Sequence, residues 1–288
     1  MMRRLLLVTG LFAMVVGLGG CTFDVPVNDT VEAPTTTPDL TPRETPDETS
    51  AYPFDPDLLD ITLDPYYESV EGLYGEALLL GLRDILQDTV SYKTYGDART
   101  ILQESDADPN DSTRVIKIYT RESAPGEFVC PTHDNCHWNR EHVWPMRRLP
   151  VSDRNSNMGS DLHNLAPADY DENAYRAYSF FNEEDVRNVS YEPHDEVKGN
   201  VARMLFYMVV MYAELSLVSG VPMADLNEMG DLDYLLRWHL NDAVDAFERN
   251  RNDIIASYQG NRNPFIDYPH FAILIWHEEM EALGLLDE

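Results

Sequence analysis

Between residues 68 and 90, apolar side chains recur at helical spacing (Leu73, Leu78, Leu80, Leu82, Ile85, Leu86), with polar residues between them. A period near 3.6 predicts an amphipathic helix. Residues 114–119 read Arg-Val-Ile-Lys-Ile-Tyr, partly alternating and β-branched, and predict a strand. Residues 200–218 are rich in Met, Leu, Tyr and Val and predict a buried helix. Two more helices are expected over about 231–240 and 242–258. A turn-forming loop follows at Gln259-Gly260-Asn261-Arg262-Asn263-Pro264-Phe265, and a closing helix at about 271–283. The pattern is that of an α+β fold, mainly helical, with a small strand-containing core inside a helical scaffold.

The first residues do not belong to that pattern. Residues 1–20 carry Arg3 and Arg4, an apolar run from Leu5 to Leu18, then small residues, which is the layout of an export signal. The run is shorter than the roughly 20 apolar residues that span a bilayer. Leu18-Gly19-Gly20-Cys21 resembles the bacterial lipoprotein box, which implies cleavage before Cys21 and lipidation of its thiol, hence a membrane anchor; the alternative is an ordinary signal with a stray cysteine. Residues 21–56 are dominated by Thr, Pro, Asp and Glu and bury too little to fold, so they read as a tether. One folded domain, 57–288, remains.

Charge complicates any partnership with nucleic acid. The formal net charge is −30, whereas affinity for nucleic acid comes largely from Lys and Arg neutralising phosphates. The balance is different between residues 137 and 176. There Arg140, Arg147, Arg148, Arg154 and Arg176 stand against Glu141, Asp153, Asp161, Asp169, Asp171 and Glu172, a net of −1. A divalent ion would neutralise two of those acids. The remaining acidity reads as solvated surface, suited to a salty medium.

That segment also carries the candidate chemistry. Cys130 and Cys136, behind an export signal, predict one local disulfide; the rival is a cramped zinc set of Cys130, His133, Cys136 and His137. Asp106, Asp108 and Asn110 mimic the start of a calcium loop, but Asp111 replaces the required Gly and Lys117 the closing Glu, so a plain acidic turn is expected. His142 alone would read as a buried, hydrogen-bonded histidine. Its neighbours change that: Glu141 offers an anionic oxygen, Asn173 a carbonyl oxygen, and Pro145 ends the local extended segment. On an extended backbone Glu141 and His142 point to opposite faces, one to hold a metal and the other to face water.

Three motifs in order make the pattern specific: Glu141-His142-Val143-Trp144-Pro145, Asp161-Leu162-His163-Asn164-Leu165-Ala166-Pro167 and Asn173-Ala174-Tyr175-Arg176. Together they resemble the core of the bacterial endonuclease I family, secreted or periplasmic nucleases with a ββα-metal (His-Me) finger. The likeness continues at Tyr66-Tyr67, Glu71-Gly72-Leu73, Gly75-Glu76-Ala77-Leu78, the run from Ala202 to Met208, Leu235-Leu236-Arg237-Trp238-His239 and the run from Gln259 to Asp267. The resemblance places His142 at the general base, Glu141 and Asn173 at the ligands of a single magnesium ion (or manganese or calcium), and Arg176 beside the site, in reach of a phosphate. It places His163 in the second strand of the finger as a packing residue. Asn164 stands where many relatives have a second His, and Ala174 replaces a frequent Gly.

The resemblance implies a metal-dependent, largely sequence-nonspecific endonuclease acting on DNA, with RNA as a further substrate, that leaves 5′-phosphate ends. It would grip backbone phosphates and work as a monomer with no obligate protein partner, at the membrane or secreted. Two alternatives stay open: another secreted metal-dependent phosphoesterase, and a catalytically silent surface-binding lipoprotein.

Overall fold

The computed structural model describes residues 56–286, apart from residues 133 and 134 and the side chains of Pro56 and Asp225. The expected export signal, Cys21 and all but the end of the tether lie outside the described residues. In chain order the elements are α1 (Gly75–Thr89), α2 (Ala98–Ser105), β1 (Ala107–Asp108), β2 (Asp111–Ile116), β3 (Ser123–Pro125), β4 (Asn139–His142), α3 (Asn157–Ser160), β5 (Leu165–Ala168) and α4 (Tyr170–Arg176). They continue with β6 (Phe180–Phe181), β7 (Ser190–Tyr191), α5 (Lys198–Met211), β8 (Ser216–Leu217), β9 (Glu228–Met229), α6 (Leu232–Asn241), α7 (Ala246–Gln259), α8 (Pro264–Asp267), α9 (Phe271–Ile275) and α10 (His277–Ala282). The result is an α+β protein in which helices predominate.

α5 organises the larger core. Every residue from Val201 to Met211 is buried, which follows from a run almost free of charge, and α1, α6 and α8 pack around it. α1 presents Leu78, Leu82 and Leu86, one turn apart, and α6 adds Leu235 and Leu236. A smaller core joins α2, β2 and α7 through Ile101, Leu102, Val115 and Ile255, together with Trp138, Leu162 and Leu165 beside β4 and β5. The β4–β5 pair therefore rests on a close-packed base.

The structure moves several expected boundaries. The helix expected over 68–90 begins only at Gly75, after a short 3-10 turn (Glu68–Val70), because Gly72 and Gly75 take positive φ of 73° and 54°. The strand expected at 114–119 lies at Asp111–Ile116. Lys117 leaves it to pair with Glu122 and Asp169, each at 2.8 Å. The acidic turn joins β1 to β2, with the Asn110 amide donating to Asp108; Asp106 is no surface acid but a buried partner of Arg251 at 3.0 Å. The helix expected over 200–218 stops at Met211, and its apolar tail becomes β8. The closing helix is broken at Trp276 into α9 and α10.

One charge on α5 is exceptional. Arg203 is fully buried, and its guanidinium donates to both carboxylate oxygens of Glu248 on α7 and to the Asp242 carbonyl. Such a cation is tolerated only while paired. Glu248→Ala should therefore cost about 3–5 kcal/mol of unfolding free energy, read from urea denaturation; a loss below about 1 kcal/mol would show that the pair does not tie the two helices.

Candidate active site

β4 and β5 run antiparallel, with Glu141 opposite Ala166 and His142 opposite Leu165, and α4 follows at once. Asp169 caps α4 by accepting from the Asp171 and Glu172 amides, and Lys117 grips the same Asp169. The acids Asp171 and Glu172 sit in the first turn, where the helix dipole favours them. The turn before α2 is closed by Thr94, whose amide and hydroxyl both donate to Asp97, and it presents Tyr95. These elements enclose a cavity of about 460 Å³ lined by Tyr95, Arg99, Phe128, Asn139, Arg140, Glu141, His142, Arg154 and Asn173.

Three of the four residues expected at the site meet here. Glu141 and His142, adjacent on β4, have separate sets of partners, as strand alternation requires. The His142 Nε2–H donates to the Gly159 carbonyl at 2.8 Å, which leaves Nδ1 as the acceptor. Gly159 lets the chain pass that close: a Cβ there would lie 2.6 Å from the Asp153 carbonyl oxygen. The Tyr95 ring stacks on the imidazole at 5.3 Å and 18°. Burial first, then the charges of Arg154, Arg140 and Arg176, lower the His142 pKa to about 4, so the ring is neutral at physiological pH despite an ordinary value near 6.5.

Glu141 is buried, and its Oε1 accepts from the Tyr119 hydroxyl and from Arg176, each at 2.8 Å. Burial raises its pKa; the Arg176 charge and the Tyr119 hydrogen bond work against that rise. Asn173 on α4 donates Nδ2–H to Asn139 Oδ1 at 2.8 Å, which leaves its own Oδ1 as an acceptor. No group of three or more His, Cys, Asp or Glu side chains converges on a metal-sized point among the described residues. A carboxylate with an amide oxygen instead suits a hard ion that keeps most of its water. Both candidate donors line the cavity.

Arg176 departs from expectation. Placed beside the site to steady a phosphate, it is fully buried: its Nη groups donate to Glu141 Oε1, the His142 carbonyl (3.0 Å) and the Val143 carbonyl (2.6 Å), its Nε–H meets no acceptor among the described residues, and Phe181 lies 4.6 Å beneath it. It positions Glu141 and does not face the cavity. His163 is likewise not in a strand; it lies in a 3-10 turn (Leu162–Asn164) just before β5, fully buried, with Nε2–H donating to the Asn261 carbonyl. Asn164 earns its place structurally, accepting from the Trp144 amide and donating to the Trp144 carbonyl. Cys130 and Cys136 are joined in a disulfide, so neither thiol remains for a zinc set; His133 lies outside the described residues.

Tyr95, Arg99, Phe128 and Asn139 escaped the sequence reading. Arg99 left one trace: in a chain with 51 acids against 21 Lys and Arg, it has no acid three or four residues away on its helix. Arg99, Arg140 and Arg154 have no carboxylate partner among the described residues, whereas Lys117, Arg203, Arg251 and Arg262 do.

A neutral imidazole, two oxygen donors and three guanidiniums without a carboxylate partner among the described residues, all around one cavity, suit attack on a phosphate ester. The sequence profile of the Endonuclease I family matches residues 75–270. The chain is 37% identical over 233 residues to an extracellular ribonuclease of Bacillus subtilis (strain 168), covering 74% of this chain and 78% of that protein. It is 38% identical over 232 residues to an extracellular ribonuclease of Bacillus amyloliquefaciens, covering 73% and 78%. The chain belongs to the endonuclease I family and is a hydrolase of phosphodiester bonds.

In the metal-free protein the His142 ring protons should titrate near pH 4 by NMR, with the ring charged only below that. A midpoint near 6.5 would mean that burial and the neighbouring arginines do not act on it.

Proposed function

We propose that the protein is an exported, metal-dependent endonuclease that cuts RNA and DNA with little base preference and leaves 5′ phosphates. The observation that carries this reading is the His142 imidazole, neutral and fixed in one tautomer by Gly159, beside the Glu141 and Asn173 oxygens. Strands β4 and β5 with helix α4 then correspond to the ββα-metal finger. The names of the two Bacillus relatives support RNA as a substrate and export as the destination. The export signal and Cys21 support anchoring at the membrane.

In this reading Nδ1 of His142 removes the proton from the attacking water, while the Gly159 carbonyl and Tyr95 hold the ring in orientation. Glu141 and Asn173 would hold one magnesium or similar ion, and Arg176 keeps the Glu141 carboxylate in place. When bound, the ion supplies Lewis-acid stabilisation of the charge that develops on the phosphate and the leaving oxygen. Arg154 lines the same cavity as His142, and in this reading its guanidinium receives the scissile phosphate. Contacts of this kind go to the backbone and carry little base information.

The purified protein should degrade RNA and plasmid DNA with added magnesium or manganese and stop in excess chelator. His142→Ala should slow both about a hundredfold to ten-thousandfold. A variant that keeps more than about a tenth of the activity would remove His142 as the base.

A further inference from the structure

We propose that Arg99 and Arg140, braced on Phe128, form a subsite for a second backbone phosphate next to the scissile one. The preferred substrate then carries at least two consecutive phosphates. This rests on the nuclease reading and names what the site selects. Arg99 comes from α2 and Arg140 from β4, yet both guanidiniums lie over the same ring, each 5.1 Å from its centroid, so they are at most about 10 Å apart. Arg140 also lies 3.6 Å over the Tyr95 ring and donates to the Tyr95 carbonyl. Arg140 and His142 are two apart on a strand, hence on one face and about 7 Å apart along it. The second cation centre is thus displaced from the base within the same cavity.

The way these cations are held points to an anionic ligand. A protein with 51 acids has a carboxylate to spare for almost any arginine, and a carboxylate would fix the side chain but cancel its charge. An aromatic ring fixes the planar guanidinium and leaves its charge and donors free. Mutual repulsion makes the grouping costly unless an anion joins it, and the forked donors match a phosphate. The chain flanking the Phe128 ring is tied down: the Trp138 indole donates to the Gly126 carbonyl, the His137 amide to the Val129 carbonyl, and Cys130 is bonded to Cys136. The cavity, at about 460 Å³, falls in the size range of ligand sites and exceeds what one phosphate fills.

The test compares kcat/KM, with magnesium, for a dinucleoside monophosphate and for the same molecule extended by one nucleotide, in the parent protein, Arg99→Gln and Arg99→Lys. In the parent the second phosphate should raise kcat/KM about tenfold or more, as expected for a charge-assisted contact. Arg99→Gln should remove most of that ratio, and Arg99→Lys should restore part of it. The salt dependence of kcat/KM on the longer substrate should lose about 0.7 of log–log slope in Arg99→Gln, one phosphate contact on a single strand. An unchanged ratio in Arg99→Gln, or an equal loss on both substrates, would overturn the subsite. If the parent cleaves neither substrate nor long RNA and DNA, the nuclease reading itself fails; if it cleaves both short substrates equally well, only the subsite does.

Discussion

A guanidinium with no access to water depends on protein acceptors alone, and Arg176 imposes that condition on the whole site. Its donors reach Glu141 Oε1 and the carbonyls of His142 and Val143, so the end of β4 and the end of α4 hold one position relative to each other. Losing such a partner would leave a buried charge uncompensated, which is why the arrangement is rigid. The consequence for chemistry is direct. Glu141 and Asn173 belong to these two elements, and Arg176 fixes the spacing between their oxygens without entering the cavity. α4 is secured at its other end too, by Lys117 on Asp169 and by the Tyr191 hydroxyl on Glu172.

The opposite side of the finger is tied to the helical scaffold by a second buried polar knot. Asp161, fully buried, accepts from Tyr207 and Tyr212 at α5 and its end, from Gln259 at the end of α7, and from the His163 amide. Asn261 donates to Tyr207 and accepts the His163 Nε2–H on its carbonyl. Two motifs nearly a hundred residues apart in sequence, one holding Asp161 and His163 and the other Gln259 and Asn261, are thus halves of one network. In the apolar interior each member is costly unpaired, so the loop at Gly260 (φ 90°) and the turn before β5 must form together.

Much of this was legible locally. The helices expected near α1, α6 and α7 are present, α6 and α7 shifted by at most about four residues and α1 starting seven residues late, and the segment around Glu141-His142 is suggested by its residue chemistry and made specific by its resemblance to the endonuclease I motifs. Where the reading slipped, a long-range partner or backbone geometry decided the outcome. An apolar run cannot separate helix from strand, so the pattern through residues 212–218 continues that of α5 although the helix ends at Met211. Gly72 and Gly75 were read as helical although both take left-handed φ. Arg176 looked like a phosphate ligand because nothing in the sequence shows that Glu141 and two carbonyls claim it first. Tyr95 and Arg99 lie more than forty residues before His142, and only the packing of α2 against β5 and α7 brings them to the cavity.

In the proposed mechanism Glu141 and Asn173 form one oxygen-donor pair beside the His142 base. Anomalous diffraction from crystals of the protein soaked in manganese tests it most directly. The prediction is a single strong peak in contact with the Glu141 carboxylate and the Asn173 amide oxygen, lost in an Asn173→Ala crystal of unchanged fold. A peak bound elsewhere in the cavity, or none at these residues at millimolar manganese, would contradict the claim.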